Sequence, residues 1–482
     1  MRIPLNIGAY EARSIIASAQ RAVNLYPELN PADSPVKMTH YTSPGLVTIR
    51  VAPVPGYGRA LYRASDGTGY ACIGSNVYRI ESNFTYTLLG TLANYGTPVT
   101  MQDNGLALVI VDGTPNGYAI DMTAGTYGAI TGAAFYGADR VDFLDTYFLL
   151  NKPSTNIFYI SLSNVDYTML TGGTAFDPVD FAAKVGYPDP INTLIVMHRE
   201  AWMIGTQTCE VYYNSGAADF TFQQLPGSFV EHGCVAKYSV AKQDLMIYWL
   251  GQDAQGKAIV FKGAGYKAIR ISTHALEQEI GSYSTISDAV SYTYQQDGHS
   301  FYVLNFPSAD KTWVWDEATQ LWHERAWLDS NGNLRRHRAQ CAANIYGKNV
   351  CLDWETGTLY EFDLNAYTDA GNPIPRIRSF PHILDDGKRV RHTSFIADLQ
   401  VGTLPETLQQ DEPKLTLRWS DTRGASWSDG IMQGMGSSGE YLRSIQFNRL
   451  GIARDRVYEL SWSVPTKTAL NGAFLQTQTL GT

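Results

Sequence analysis

Six carboxylates lie where a hairpin end or a loop would present them: Asp112, Glu210, Glu231, Asp253, Glu277 and Glu279. Two acids flanking a glycosidic bond make a hydrolase, one protonating the leaving oxygen while the other attacks or activates water. The spacing of these six singles out no pair. His40, His198, His232, His274, His299 and His323 each stand alone, without the second ligand at i+2 or i+4 that a metal would want. The five cysteines, Cys72, Cys209, Cys234, Cys341 and Cys351, form no CxxC and are read as buried free thiols. Phosphate loops, dinucleotide fingerprints, HExxH and the nucleophile elbow are all missing. The expectation is a protein that is not an enzyme, with no metal and no cofactor.

Charge clusters offer a different chemistry. Arg335, Arg336, His337 and Arg338 form one basic run, and Lys388, Arg389, Arg391 and His392 a second, in a chain of formal net charge −9. Such runs are either solvated hairpin tips or docking points steered toward an acidic partner. Arg335, Arg336, Arg338, Lys388, Arg389 and Arg391 are therefore the candidate assembly contacts. The overall acidity argues against sequence-independent nucleic-acid binding, which needs cations to displace counterions, but suits a surface past which DNA slides. Residues 420–427 (SDTRGASW) resemble the Asp-box turn S-x-D-x-G-x-T-W, with Thr422 in place of its Asp and Ser426 in place of its Thr. This is read as a structural turn, with Asp421 bonding local amides and Trp427 packing on a sheet.

The elements that would carry these residues are hairpins. Seven times an apolar run, a polar turn and a second run rich in aromatic or β-branched residues follow one another: 61–80, 105–121, 146–161, 201–214, 245–262, 300–316 and 344–363. Their centres recur at about 40 to 55 residues, the period of four-stranded propeller blades. The 30 Tyr and 10 Trp suit half-buried strands and wet interfaces alike. The fold class is thus all-β: a β-propeller of about six or seven blades over residues 58–363. An N-terminal arm (1–57) packs on or closes the ring, and an antiparallel β-sandwich (364–482) follows, in which HTSFIADLQV, KLTLRWS, YLRSIQF and RVYELSWSV supply the runs. Short helices are expected at 14–23, 180–185 and 272–280, the last with an N-cap at Ser272 or Thr273 and a stop at Gly281. Residues 402–413 read as an exposed connection. No run is long enough to span a bilayer, so no membrane insertion is expected, and the N-terminus lacks the apolar core of a secretory signal.

AVNLYPELN, SPGL, WLGQDAQGKAIVFKGAGYKAIRISTHALEQEI, GHSFYVLNFPSADKTWVWDEATQLWHER and RLGIARDRVYELSWS, taken in order, resemble the packaged-DNA stabilisation proteins of short-tailed bacteriophages, also called head-completion or tail-hub (nozzle) proteins. The resemblance is spread over nearly the whole chain and is strongest from about residue 200 to 325. It implies a propeller-based structural protein of the virion tail, assembled in the bacterial host cytoplasm. Six copies would form a ring beneath the portal and its adaptor. Tail fibres or tailspikes would sit outside, a needle or plug would close the exit, and packaged double-stranded DNA would pass through the lumen without sequence-specific binding. The same residues admit an alternative, a receptor- or glycan-binding tail component, and more remotely a propeller glycoside hydrolase.

Overall fold

The middle strands of the hairpins have no exposed face. Gly69–Ile73 and Ala107–Val111 are buried at every residue, which is why they read as continuous apolar runs and not as alternating ones. Each pairs antiparallel with its sequence neighbours, and the polar residues between take the turns. One turn recurs after three strands, the third of blades two and six and the second of blade seven, as DMTAG, DEATQ and DWETG. Asp121, Asp316 and Asp353 each accept the backbone amide two residues on. The residue four positions on donates its amide back to the carbonyl of the same Asp. That residue takes positive φ, 70° at Gly125, 56° at Gln320 and 69° at Gly357.

The structure is a computed structural model that describes residues 2–3, 5, 14, 18–252, 258–403 and 412–480. Its sheets follow one another round a ring. Blade one runs from Gly58–Arg63 to Tyr86–Thr91, blade two from Thr100–Asp103 to Tyr127–Ala129, and blade three from Val141–Leu144 to Phe176–Ala183. Blade four runs from Ile191–Met197 to Phe222–Gln224, blade five from Ala241–Gln243 to Ala268–Arg270, and blade six from Val290–Gln296 to Leu321–Glu324. Blade seven holds Ala339–Ile345, Lys348–Asp353 and Leu359–Asp363. Its outer strand comes from the other end of the chain: Gly45–Arg50 pairs antiparallel with Leu359–Asp363, Leu46 opposite Phe362. That strand closes the ring.

An apolar cluster fills the gap between each consecutive pair of blades. Between blades one and two, Cys72 and Val77 meet Leu108 and Ile110; between blades seven and one, Leu352 and Leu359 meet Ile73 and Ile80. Each such side chain contributes on the order of 1.5–3 kcal/mol by leaving water. The first strands of blades one, two, three, five, six and seven line the axial cavity, and that of blade four adjoins it through Val196. The expected β-propeller of about six or seven blades is thus found.

Beyond the ring lies a two-layered sandwich. One layer orders Leu25–Leu29, Met38–Thr42, Ala469–Thr479, Val390–Leu399 and Ile445–Asn448, and the other Arg376–Ser379, Asp455–Trp462, Lys414–Ser420 and Ile431–Gly434. Leu25, Phe395, Leu417, Phe447, Leu460 and Leu475 fill the space between them. The second layer is continuous with blade six. Ala22–Val23 lies parallel to Leu321–Glu324 on one side and antiparallel to Arg376–Ser379 on the other. Asn24 ties this seam: its Nδ2 donates to the carbonyls of Ala326 and Pro375, both at 2.8 Å, and its Oδ1 accepts the amide of Ala326 at 3.0 Å. Arg21 adds an ion pair with Glu324 at 3.1 Å.

The helix expected at 272–280 is found as His274–Gly281, with the Thr273 hydroxyl accepting the Leu276 amide. The helical turn expected at 180–185 is instead part of the strand Phe176–Ala183, because Phe181–Ala183 pair with Ile157–Tyr159 and Ala182 packs on the core between blades three and four. Of the helix expected at 14–23, residues 15–17 lie outside the described residues and Ala22–Val23 is strand. Most of the connection at 402–413 also lies outside them.

Candidate functional site

The axial cavity of the propeller has a volume of about 290 Å3 and is lined by Arg59, Tyr62, Arg140, Asp142, Tyr238 and Lys242 among others. Its charged groups join neighbouring inner strands. Asp142 of blade three accepts the Val196 amide of blade four at 2.7 Å and the Lys242 ammonium of blade five at 3.5 Å. Arg140 donates to the Val240 carbonyl at 2.8 Å. Tyr62 of blade one donates to Asp103 of blade two at 2.7 Å. Arg59 holds the carbonyls of Gly74 and Asn94 at 3.0 and 2.7 Å and lies 3.7 Å from Asp112. The opening falls at the lower edge of the ~300–1,000 Å3 usual for small-molecule sites, and no duplex can thread it. The axis works as a polar seam that locks the blades.

The carboxylates do not converge. Asp112 belongs to blade two, beside Arg59. Glu210, on blade four, is buried and accepts the Gly186 amide at 2.8 Å and the Tyr212 hydroxyl at 3.1 Å. Glu277 pairs with Arg270 and accepts the Ser272 hydroxyl at 2.7 Å; Glu279 accepts the Tyr283 hydroxyl at 3.2 Å. Glu231 is exposed, and Asp253 lies outside the described residues. Among the described residues no three His, Cys, Asp or Glu are grouped to hold a metal ion. His40 and His323 are buried and pushed well below the ordinary imidazole range, first by burial and then by nearby Arg378 and Arg325 respectively. His299, hydrogen-bonded to Asp316 at 2.7 Å, is held above it, chiefly by that bond.

The Asp-box-like turn forms with altered roles. The Ser420 hydroxyl, not Asp421, accepts the local amides of Thr422 and Gly424, at 3.3 and 2.8 Å. Asp421 instead receives both the Nε and Nη2 of Arg456. Trp427 lies under the Arg418 guanidinium, 4.8 Å from ring centre to Cζ.

The two basic runs differ. Arg336 is buried, its guanidinium 4.3 Å above the Trp354 ring, and Nη1 donates to Gln340 at 2.9 Å. Arg338 stacks on Trp327 at 3.8 Å and pairs with Asp353 and Glu355 at 3.3 and 2.6 Å. Arg335 alone stays half-exposed, paired with Asp310 at 2.5 Å. Arg336 and Arg338 clamp the Ala326–Leu328 and Leu334–Arg336 hairpin against blade seven, while Arg335 reaches Asp310 in a turn of blade six and keeps an exposed face. Lys388, Arg389 and Arg391 are all exposed at one end of the sandwich. Arg449 and Arg454, which sequence proximity could not group with them, join there: the Arg449 amide donates to the Thr393 carbonyl at 3.0 Å, and Arg454 donates to the Gly387 carbonyl at 3.0 Å. None of the five has an ion pair among the described residues. The signal that would have found them is cross-strand register, which sets Arg391 opposite Ile452.

A closed propeller with a polar axis is fused by a continuous sheet to a sandwich. The family model described as Bacteriophage P22 Gp10, beta-propeller, matches residues 1–367. The chain belongs to that family of phage packaged-DNA stabilisation proteins and is a structural component of the virion. No curated protein matches it. Among solved structures, the computationally designed Ika8 protein is 12% identical with a TM-score of 0.38, covering 75% of this chain and 100% of that one. BamB from Moraxella catarrhalis is 10% identical with a TM-score of 0.38, covering 72% and 98%. Among the described residues no helix is long and apolar enough to cross a membrane.

Proposed function

We propose that this protein is the tail hub, or nozzle, that docks beneath the portal and its adaptor, closes the DNA exit channel and retains the packaged genome. In this reading copies assemble into a six-membered ring, and the ring is a platform for tail fibres or tailspikes and for a needle or plug. The observation that carries it is the family match over residues 1–367. The fold is in keeping with it. The axis of each subunit is too small for duplex DNA, so the channel would run between subunits. The ring is closed by its own N-terminal strand, leaving few free edges before assembly. The sandwich is held at a fixed angle by hydrogen bonds through Ala22–Val23, which a load-bearing connector under internal DNA pressure needs.

The test is genetic and structural together. Particles assembled without this protein are expected to package DNA and then lose it to added nuclease, while complemented particles keep it. Stable, nuclease-resistant filled particles lacking the protein would refute the reading.

A further inference from the structure

The second basic run and an edge of blade three have complementary chemistry on opposite sides of the molecule. At the sandwich end, Lys388, Arg389, Arg391, Arg449 and Arg454 surround two exposed apolar side chains, Leu384 (59% exposed) and Ile452 (47%). The backbone there is fixed, with the His392 amide donating to Gly451 at 2.8 Å and the Leu480 amide to Arg389 at 2.9 Å. Two carboxylates share the turn, Asp385 and Asp386. Asp385 accepts the Thr479 hydroxyl at 2.6 Å, and five cations outweigh the two. Asp455 nearby is already engaged by His382 and Arg423, at 2.7 and 2.9 Å.

Across the ring, the strand Phe176–Ala183 is the outer edge of blade three, bonded only to Ile157–Ser161. It exposes Val179 (70%) between Asp177 and Asp180, and Phe181 (47%) directly after them. The apolar strip continues through Val185 and Tyr187, beside the half-exposed Phe229 ring. Burial first, and then repulsion from Asp177, holds the Asp180 carboxyl above its usual range, so an incoming cation would relieve it. Pro178 removes a strand donor, so the edge is built for side-chain contact and not for strand addition. Blade three is three blades from blade six in one direction and four in the other, and blade six carries the sandwich. Two different, complementary surfaces at opposite ends of one chain are what a heterologous, ring-forming contact requires.

We propose that the basic end of the sandwich docks on the acidic, apolar edge of blade three of a second copy of this chain, propagating head to tail. The proposal rests on the reading above only in taking the protein to assemble with itself. The apolar residues supply the buried centre and the charges the register and steering.

The experiment uses the full-length protein in sedimentation velocity over a range of concentrations and salt. Wild type is expected to self-associate, more weakly as salt rises. A variant carrying Arg389→Glu and Arg391→Glu, and another carrying Asp177→Lys and Asp180→Lys, should each associate at least tenfold more weakly while melting as wild type does, because all but the half-buried Asp180 are exposed. Mixing the two variants should restore assembly, since each then meets its opposite charge at both ends, and the fourfold variant should recover it alone. Assembly indifferent to both variants, a mixture that stays dissociated, or a wild type that is monomeric throughout would overturn the proposal. Genome retention in particles is scored separately: retention with no response to these variants discards this contact and leaves the hub function standing.

Discussion

Asn24 joins three segments of the chain with one side chain. It is buried, sits at φ 55°, and makes three bonds that hold the exit of blade six, the N-terminal strand and the start of the sandwich together. Asparagine tolerates the left-handed region better than alanine, and its amide supplies both donor and acceptor. Asn24→Ala is therefore expected to cost about 2–4 kcal/mol, and Asn24→Asp no less, because a carboxylate would face two carbonyls. Chemical denaturation checks this; a loss under ~1 kcal/mol would show that the seam holds without Asn24. His337 gives a pH signature. Burial, then Arg325 and Arg338, push it down to about 3. Below pH ~6.5 the unfolded chain takes up a proton that the folded one refuses, so stability is present above that pH and lost as pH falls toward 3. His40, His323 and His392 act in the same direction, and His299, held high, opposes them. His337→Asn should flatten the acid limb by up to about 1.4 kcal/mol per pH unit between pH 6 and 4; an unchanged slope in denaturation at those pH values would contradict the assignment.

Hairpins were legible in the sequence because turns are local. The DMTAG, DEATQ and DWETG turns need only an aspartate whose carboxylate meets the next amides and a residue that accepts positive φ. The closing strand was not legible as a blade strand, since Gly45–Arg50 gains its partner more than three hundred residues away. For the same reason Arg449 and Arg454 were not grouped with Lys388, Arg389 and Arg391, and the burial of Arg336 could not be read from a run of arginines. The closing strand is seated tightly. A methyl group at Gly45 would press on the carbonyls of Ala366 and Thr368, the latter at 2.6 Å, and backbone there has nowhere to move. Gly45→Val should therefore unseat the strand and open the ring between blades seven and one, seen as rapid proteolysis at the N-terminal end. Wild-type protease resistance would mean that the ring closes by some other contact.

At the scale of the molecule the decisive feature is that the propeller and sandwich share one sheet. It runs from Val290–Gln296 through blade six, Ala22–Val23, Arg376–Ser379 and Asp455–Trp462 to Ile431–Gly434. The sandwich core also takes Leu25 from the N-terminal side of the chain and Leu470 and Leu475 from the C-terminal side. Neither part can lose its strands without unzipping the other, because Ala22–Val23 would leave buried amides and carbonyls unpaired on both flanks. Appended modules joined by a linker melt separately; this one should not. Calorimetry of the full-length protein is expected to show one endotherm, and Asn24→Ala should split or broaden it by weakening the seam ahead of the blades. The fragment 364–482 alone should stay unfolded, since the strands Leu25–Leu29 and Met38–Thr42 that complete its first layer are missing. Two well-separated endotherms in the wild type, or a folded fragment, would show that the shared sheet is dispensable and that the sandwich swings free of the ring. A sandwich free to swing would also undo the fixed placement of the basic end opposite blade three, which any closed head-to-tail ring depends on.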